Sequence, residues 1–161
     1  VGGWSYGGML TNYVISQTTR FKGAVPNVVI VPHVFAMFTG MLVANAAGLL
    51  ALRGEKNLFR ISLVVIALLG VGGLFLGPLV QKAAFGAYWT GWPFGTDLTD
   101  NKTAVAVLFW AFAAFRARGG RDARLAVGVA ALVTLAVFMV PHSAWGSQID
   151  WSKLPPSPSA S

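Results

Sequence analysis

Four long apolar runs constrain this chain more than any other feature of its sequence. They cover residues 28–52, 58–80, 98–116 and 124–141, and short polar stretches separate them. An α-helix rises about 1.5 Å per residue, so the first run is long enough to cross a hydrocarbon layer of about 30 Å. Only 11% of the residues are charged, whereas a soluble domain carries about 25%. The sequence therefore predicts an all-α polytopic membrane protein with four transmembrane helices in a bundle.

Small residues recur at helical spacing within these runs. Gly40, Ala44 and Gly48 lie four residues apart in the first run. Similar small-residue faces mark the second run, with Gly70, Gly73 and Gly77, and the fourth, with Ala126, Ala130 and Thr134. Residues four apart share a helix face, and small side chains on that face let a second helix approach closely. We therefore expect the helices to pack through their Gly and Ala faces.

The charged residues concentrate in two short loops. Residues 53–60 and 116–124 contain seven Arg and Lys against Glu55 and Asp122, a net charge of +5 within the +7 of the whole chain. Basic loops stay on the cytoplasmic side of a membrane. We predict the bacterial cytoplasmic membrane, with both termini outside the cytoplasm. The predicted partners are the lipid bilayer and other membrane subunits, and not nucleic acid, because membrane orientation accounts for the excess charge.

The stretch at residues 87–103, AYWTGWPFGTDLTDNKT, separates the two pairs of runs. Tryptophan is typical of the membrane–water interface, and Trp-Pro-Phe-Gly is typical of a turn. We predict a Trp-rich extracytoplasmic loop that is fixed to the bundle. Its structural residues are predicted to be Trp89, Trp92, Asn101, Lys102 and, after the last run, Ser143.

Two histidines and two aspartates are candidate ligands at the same end of the molecule. His33 opens the first run and His142 follows the last. Imidazole binds haem iron and transition metals, so we predict His33 and His142 as candidates for haem or metal binding. Asp97 and Asp100 offer carboxylate oxygens to a metal cation, or to the N–H groups that begin the third helix.

The first residues contain a nucleophile motif. Gly3-Trp4-Ser5-Tyr6-Gly7 fits the pattern G-x-S-x-G. Together with RFKGAV at residues 20–25, it makes residues 1–26 resemble the nucleophile-elbow segment of the prolyl oligopeptidase family of serine peptidases. That resemblance implies Ser5 as a nucleophile and the Tyr6 N–H as part of an oxyanion hole. A triad also needs a base and an orienting acid. None follows in that family's order, so we predict that the chain is not an enzyme.

A second resemblance covers roughly residues 30–151. The motif WTGWPFGTDLTDNK at residues 89–102 and PHS at residues 141–143 resemble a group of small bacterial four-span membrane proteins with no assigned activity. The resemblance implies the same fold and no particular chemistry. We divide the chain into a hydrolase-like or extracytoplasmic segment at 1–27, a transmembrane domain at 28–153 and a disordered Pro/Ser tail at 154–161.

The predicted function follows from the apolar character of the runs. They contain few polar residues besides Asn45, so the sequence shows no ion path. We predict a non-catalytic accessory or scaffold subunit of a larger membrane complex, such as a respiratory or photosynthetic one. The alternatives are a haem- or metal-binding electron-transfer subunit, a small transporter, and a serine hydrolase that uses Ser5.

Overall fold

The computed structural model describes residues 27–95 and 98–140, and every side chain in these ranges except those of residues 27, 84, 85 and 98–100. All regular elements in these ranges are helical, which confirms the all-α prediction for this part of the chain. The elements are α1 (Asn27–Leu52), α2 (Leu58–Leu69), a π-helical segment (Gly70–Leu76), α3 (Gly77–Phe85), α4 (Leu98–Ala117), a 3₁₀ turn (Arg118–Gly120) and α5 (Arg124–Met139).

The helices form four rods that pack in a ring. One rod consists of α2, the π-helical segment and α3, which follow one another without a break. α1 packs against α2 and α5, and α4 packs against the same two helices. The turns at residues 53–57 and 118–123 are short, so the helices that they join run antiparallel. Both basic turns therefore lie at one end of the ring.

The interior of the ring consists mostly of small side chains. Its buried alanines come from α1, α4, α5 and the turn before α5: Ala44, Ala47, Ala51, Ala106, Ala113, Ala117, Ala123, Ala130 and Ala131. Large apolar side chains point outward instead, and Phe35, Phe38 and Phe115 are each at least 64% exposed. A water-soluble protein buries its large apolar residues, whereas helices in a membrane meet through small ones.

In the part of the chain that the structure describes, two helices are long and apolar enough to cross a membrane by length and composition. They are Val28–Leu52 and Leu58–Ala83. In the most apolar stretch of the first helix only 33% is buried, and in that of the second only 17%. The core helix of a soluble protein is mostly buried, and these two helices are not. Arg124–Met139 is also apolar but shorter.

The largest fully buried side chain among the described residues links two rods. Trp110 of α4 is fully buried, and its Nε1–H donates a hydrogen bond to Thr134 Oγ1 of α5 at 2.8 Å. The Thr134 hydroxyl in turn donates to the Ala130 carbonyl at 2.8 Å. Because Trp110 Nε1 and Thr134 Oγ1 are thereby satisfied, burying them adds little cost. The pair fixes the register of α4 against α5.

The two glycines at positions 48 and 128 allow a test of close packing. A Cβ added at Gly48 would lie 2.8 Å from the Ala131 Cβ, whereas one added at Gly128 would have no neighbour within 4 Å. Gly48→Ala should lower the free energy of unfolding by about 1–2 kcal/mol, because overpacking outweighs the better helix propensity of alanine. Gly128→Ala should raise it by about 0.5–1 kcal/mol. Thermal unfolding in detergent measures both, and an equal response of the two variants would contradict the close contact of α1 with α5.

Candidate functional site

His33 joins α1 to the π-helical segment. Its Nδ1 atom lies 2.8 Å from the Gly72 carbonyl oxygen. A carbonyl can only accept, so Nδ1 carries the proton and donates it. The Nε2 atom makes no hydrogen bond with any described residue. The contact fixes the orientation of the imidazole and leaves its second nitrogen available.

Glycine at position 72 is required by the close approach of α1. A Cβ at Gly72 would lie 2.9 Å from the Ala36 Cβ and 3.1 Å from Met37 Sδ. The same carbonyl that accepts from His33 also accepts from the Gly77 N–H, five residues further on. This wider π-type turn is a feature that proteins often place at functional sites. His33 and Met37, one helical turn apart, therefore both lie against Gly72.

The next glycine makes the corresponding contact on the other side of the π-helical segment. A Cβ at Gly73 would collide with the Thr103 side chain of α4. Gly72 and Gly73 thus place the segment directly between α1 and α4. A larger residue at either position would push the helices apart, so the Gly-Gly pair sets the width of the bundle at this end.

The loop after α3 is held to α4 by one amide side chain. The Trp92 N–H donates to Asn101 Oδ1 at 2.9 Å, and Asn101 Nδ2 donates to the Trp92 carbonyl at 2.9 Å. The Trp89 indole N–H also donates to the Trp92 carbonyl, at 3.3 Å. Asn101 therefore binds both polar groups of the Trp92 backbone, as a neighbouring strand would.

The first half of the same loop is held to α3. Lys82 Nζ donates to the Gly86 carbonyl at 2.6 Å and lies 5.2 Å from the centroid of the Tyr88 ring. Gly86 ends α3 with φ of +82°, a conformation that favours glycine. Gln81, the residue directly before Lys82, donates from its Nε2 atom to Thr90 Oγ1 at 2.9 Å. Residues 86–95 therefore form an ordered cover that is bonded to both α3 and α4.

Lys102 closes the same end of the bundle from α4. Its Nζ atom donates to the Val140 carbonyl at 2.8 Å, just beyond the last residue of α5. The carbonyls at a helix C-terminus lack intrahelical partners and carry a partial negative charge, so a lysine there is favourable. Lys102 thus fixes the end of α5 to the start of α4.

Several predicted site residues lie outside the described part of the chain. They are Ser5, Asp97, His142 and Ser143; for Asp100 the backbone is described but the side chain is not. The described residues contain no group of three or more His, Asp or Glu side chains that could hold a metal ion. Among the candidate ligands, the structure therefore gives the surroundings of His33 alone.

The opposite end of the bundle is basic. A Cβ at Gly54 would lie 3.6 Å from Arg124 Nη1, so the two basic turns lie side by side. Arg124 Nη2 donates to Asp122 Oδ2 at 2.7 Å, and this hydrogen bond is the main cause that lowers the pKa of Asp122 to about 2. A lowered pKa means that the pair stabilises the fold above about pH 4 and loses that effect as the pH falls toward 2. Its contribution is small because both side chains are more than half exposed.

Sequence reasoning missed Gly72 and Gln81 as members of this site. The run Gly70-Val-Gly-Gly73 was the available signal, since adjacent glycines within a helix indicate close backbone approach. On the sequence alone, this run indicates only a small-residue face for helix packing. No local pattern pairs His33 with a carbonyl that lies 39 residues away along the chain.

Comparisons with protein families, with curated proteins and with solved structures found no match to this chain. Functional inference therefore rests on the geometry described above.

Two asparagines provide a test of the cover. Asn101→Ala removes both hydrogen bonds to the Trp92 backbone. We expect the free energy of unfolding to fall by about 1–2 kcal/mol and hydrogen exchange in residues 86–95 to become faster. Asn57→Ala is the matched control, because Asn57 is exposed and makes no capping hydrogen bond at the start of α2. Identical exchange rates of residues 86–95 in the two variants would show that Asn101 does not hold the cover.

Proposed function

We propose that this chain is an integral membrane protein that serves as a non-catalytic accessory or scaffold subunit of a larger membrane complex. One observation carries the proposal: small side chains fill the interior while large apolar side chains face outward on every rod. Exposed Phe, Leu and Val side chains are unfavourable in water, at about 25 cal/mol for each Å² of apolar surface. They are favourable against lipid or against the helices of neighbouring subunits.

The two ends of the bundle support this location. The Tyr88, Trp92 and Phe94 side chains are exposed at the end covered by residues 86–95, where aromatic side chains suit the membrane–water interface. The other end carries the basic turns. With the basic end in the cytoplasm and the aromatic cover outside, the arrangement follows the charge bias of bacterial cytoplasmic membrane proteins.

The interior favours a scaffold over a transporter. The buried polar side chains in the described part of the chain are Ser62 and Thr134. Ser62 donates to the Leu58 carbonyl of its own helix at 2.8 Å, and Thr134 is satisfied by Trp110 and Ala130. A transport path needs polar groups that water or an ion can reach. Here Ser62 bonds within its own helix, and the bond from Trp110 to Thr134 links α4 to α5.

Membrane extraction followed by purification tests the proposal. The chain should stay in the membrane pellet after an alkaline carbonate wash and should require detergent for release. A tagged chain released in mild detergent should bring down a defined set of membrane proteins. Release by carbonate alone would rule out the membrane location, and purification free of any other membrane protein would rule out the subunit role.

Single cysteines test the orientation, because the natural chain has none. Asn57 and Phe94 are exposed at the basic end and in the aromatic cover, respectively. In intact cells, a membrane-impermeant thiol reagent should label Phe94→Cys at once and Asn57→Cys only after the cells are opened. The reason is that the basic turns stay in the cytoplasm. Labelling of both positions from one side would contradict the proposed crossing.

A haem- or metal-binding electron-transfer subunit is the second candidate, and the His33 geometry is the observation that favours it. Ligating histidines usually donate their other ring N–H to a carbonyl or carboxylate, which fixes the tautomer. His33 already makes this bond to Gly72 and leaves Nε2 available. A bound haem or redox metal would supply the electron-transfer chemistry, and His33 would bind it.

The absorption spectrum of purified protein decides between the two candidates. An electron-transfer subunit should show a haem band, or a stoichiometric metal by elemental analysis, and His33→Ala should abolish it. Gly128→Ala, a change on α5 that meets no neighbouring atoms, is the control for a general effect of mutation. A colourless, metal-free wild-type protein that still assembles with its partners would leave the scaffold role alone.

A further inference from the structure

One face of α1 is exposed along the length of the helix. Its residues recur at alternating spacings of three and four, and we call them the α1 seam: Val28, Val31, Phe35, Phe38, Leu42, Asn45, Leu49 and Leu52. The apolar members are 58–83% exposed. This heptad spacing is the one that keeps a stripe of residues in contact with a second helix crossing at about 20°.

Asn45 is the polar member of the seam, is half-buried and lies in its second half. Its side-chain amide makes no hydrogen bond with any residue in the described ranges. An amide at membrane depth is best stabilised by a hydrogen bond across a helix interface. Asn45 therefore indicates that another helix covers the seam. That helix must place a hydrogen-bonding group opposite the Asn45 amide.

We propose that the α1 seam binds the α1 seam of a second copy of this chain, with the two Asn45 amides bonded to each other. The inference rests on the membrane location proposed above. Two copies in one membrane share an orientation, so a twofold axis along the membrane normal brings the same residue of each α1 together. An amide carries both donor and acceptor, so an Asn45–Asn45 pair satisfies both copies.

The seam does not compete with the contacts that build the monomer. The opposite face of α1 holds Gly40, which packs against Leu69, and Gly48, which packs against Ala131. That face packs against the other helices of the bundle, whereas the apolar residues of the seam are exposed. A helix with two apolar faces, one small and one large, can therefore serve the fold and the dimer at once.

Disulfide cross-linking tests the interface. Leu49→Cys lies on the seam, and Leu132→Cys on α5 is the matched control because Leu132 is also a largely exposed apolar residue. Cα atoms must come within about 7 Å to form a disulfide, which only a specific interface achieves. Mild oxidation in the membrane should link Leu49→Cys into dimers and leave Leu132→Cys monomeric. Equal cross-linking at both positions would overturn the proposal.

Asn45 variants test the amide pair. In detergent, Asn45→Leu should weaken self-association about tenfold, the size expected for one interhelical hydrogen bond. Asn45→Gln keeps donor and acceptor and should retain most of it. Sedimentation equilibrium measures the three proteins. If Asn45→Leu dimerises as tightly as the natural chain, the amide pair is wrong.

Two outcomes separate this inference from the scaffold role. If Leu49→Cys forms a cross-link to a cysteine of a co-purified membrane protein and none to a second copy of this chain, the dimer is overturned and the scaffold role is supported. Self-cross-linking with no other protein bound would support the dimer and count against the larger complex. Release of the chain by carbonate would remove the membrane location on which both depend.

Discussion

Close contact between small residues is the constraint on which the rest of the structure depends. Gly48 meets Ala131, Gly72 meets Ala36, and Gly73 meets Thr103 so closely that none of the three glycines has room for a Cβ. Helices this close gain dispersion energy and bring backbone groups of one helix within reach of side chains on the next. The small faces take up little apolar area, so most large side chains remain outside, where lipid or other proteins would cover them in the membrane location that we propose.

The same closeness creates the site at the aromatic end. Because α1 lies against Gly72, His33 can reach a carbonyl that the π-type turn has turned toward it. Asn101 and Lys102 then bind the cover and the end of α5 from a single turn of α4. Side-chain hydrogen bonds therefore hold both the loop and the end of α5 at this end of the bundle.

Trp110 and Asn45 are exceptions to the pattern of small residues inside the bundle and large apolar residues outside it. Trp110 is large and is buried, and it finds its acceptor in Thr134. Asn45 is polar and half-buried at the edge of the bundle, where no described residue bonds to its side chain. The first exception is resolved within one copy of the chain. The second is resolved by a second copy in the interface that we propose.

The sequence alone determined where helices form, because apolar runs and Gly-rich or charged turns mark their ends. The predicted runs begin at 28, 58, 98 and 124, and the helices begin at Asn27, Leu58, Leu98 and Arg124. The stripe of Gly40, Ala44 and Gly48 already indicated the packed face of α1, and these residues are buried. The sequence could not determine which face of α4 points inward, since apolar residues occupy every face of that helix. Only tertiary packing decided that Trp110 is buried and Asn45 is not, and that His33 meets Gly72. Hydrogen bonds between residues far apart in the chain depend on how the rods align. No local sequence pattern predicts that alignment.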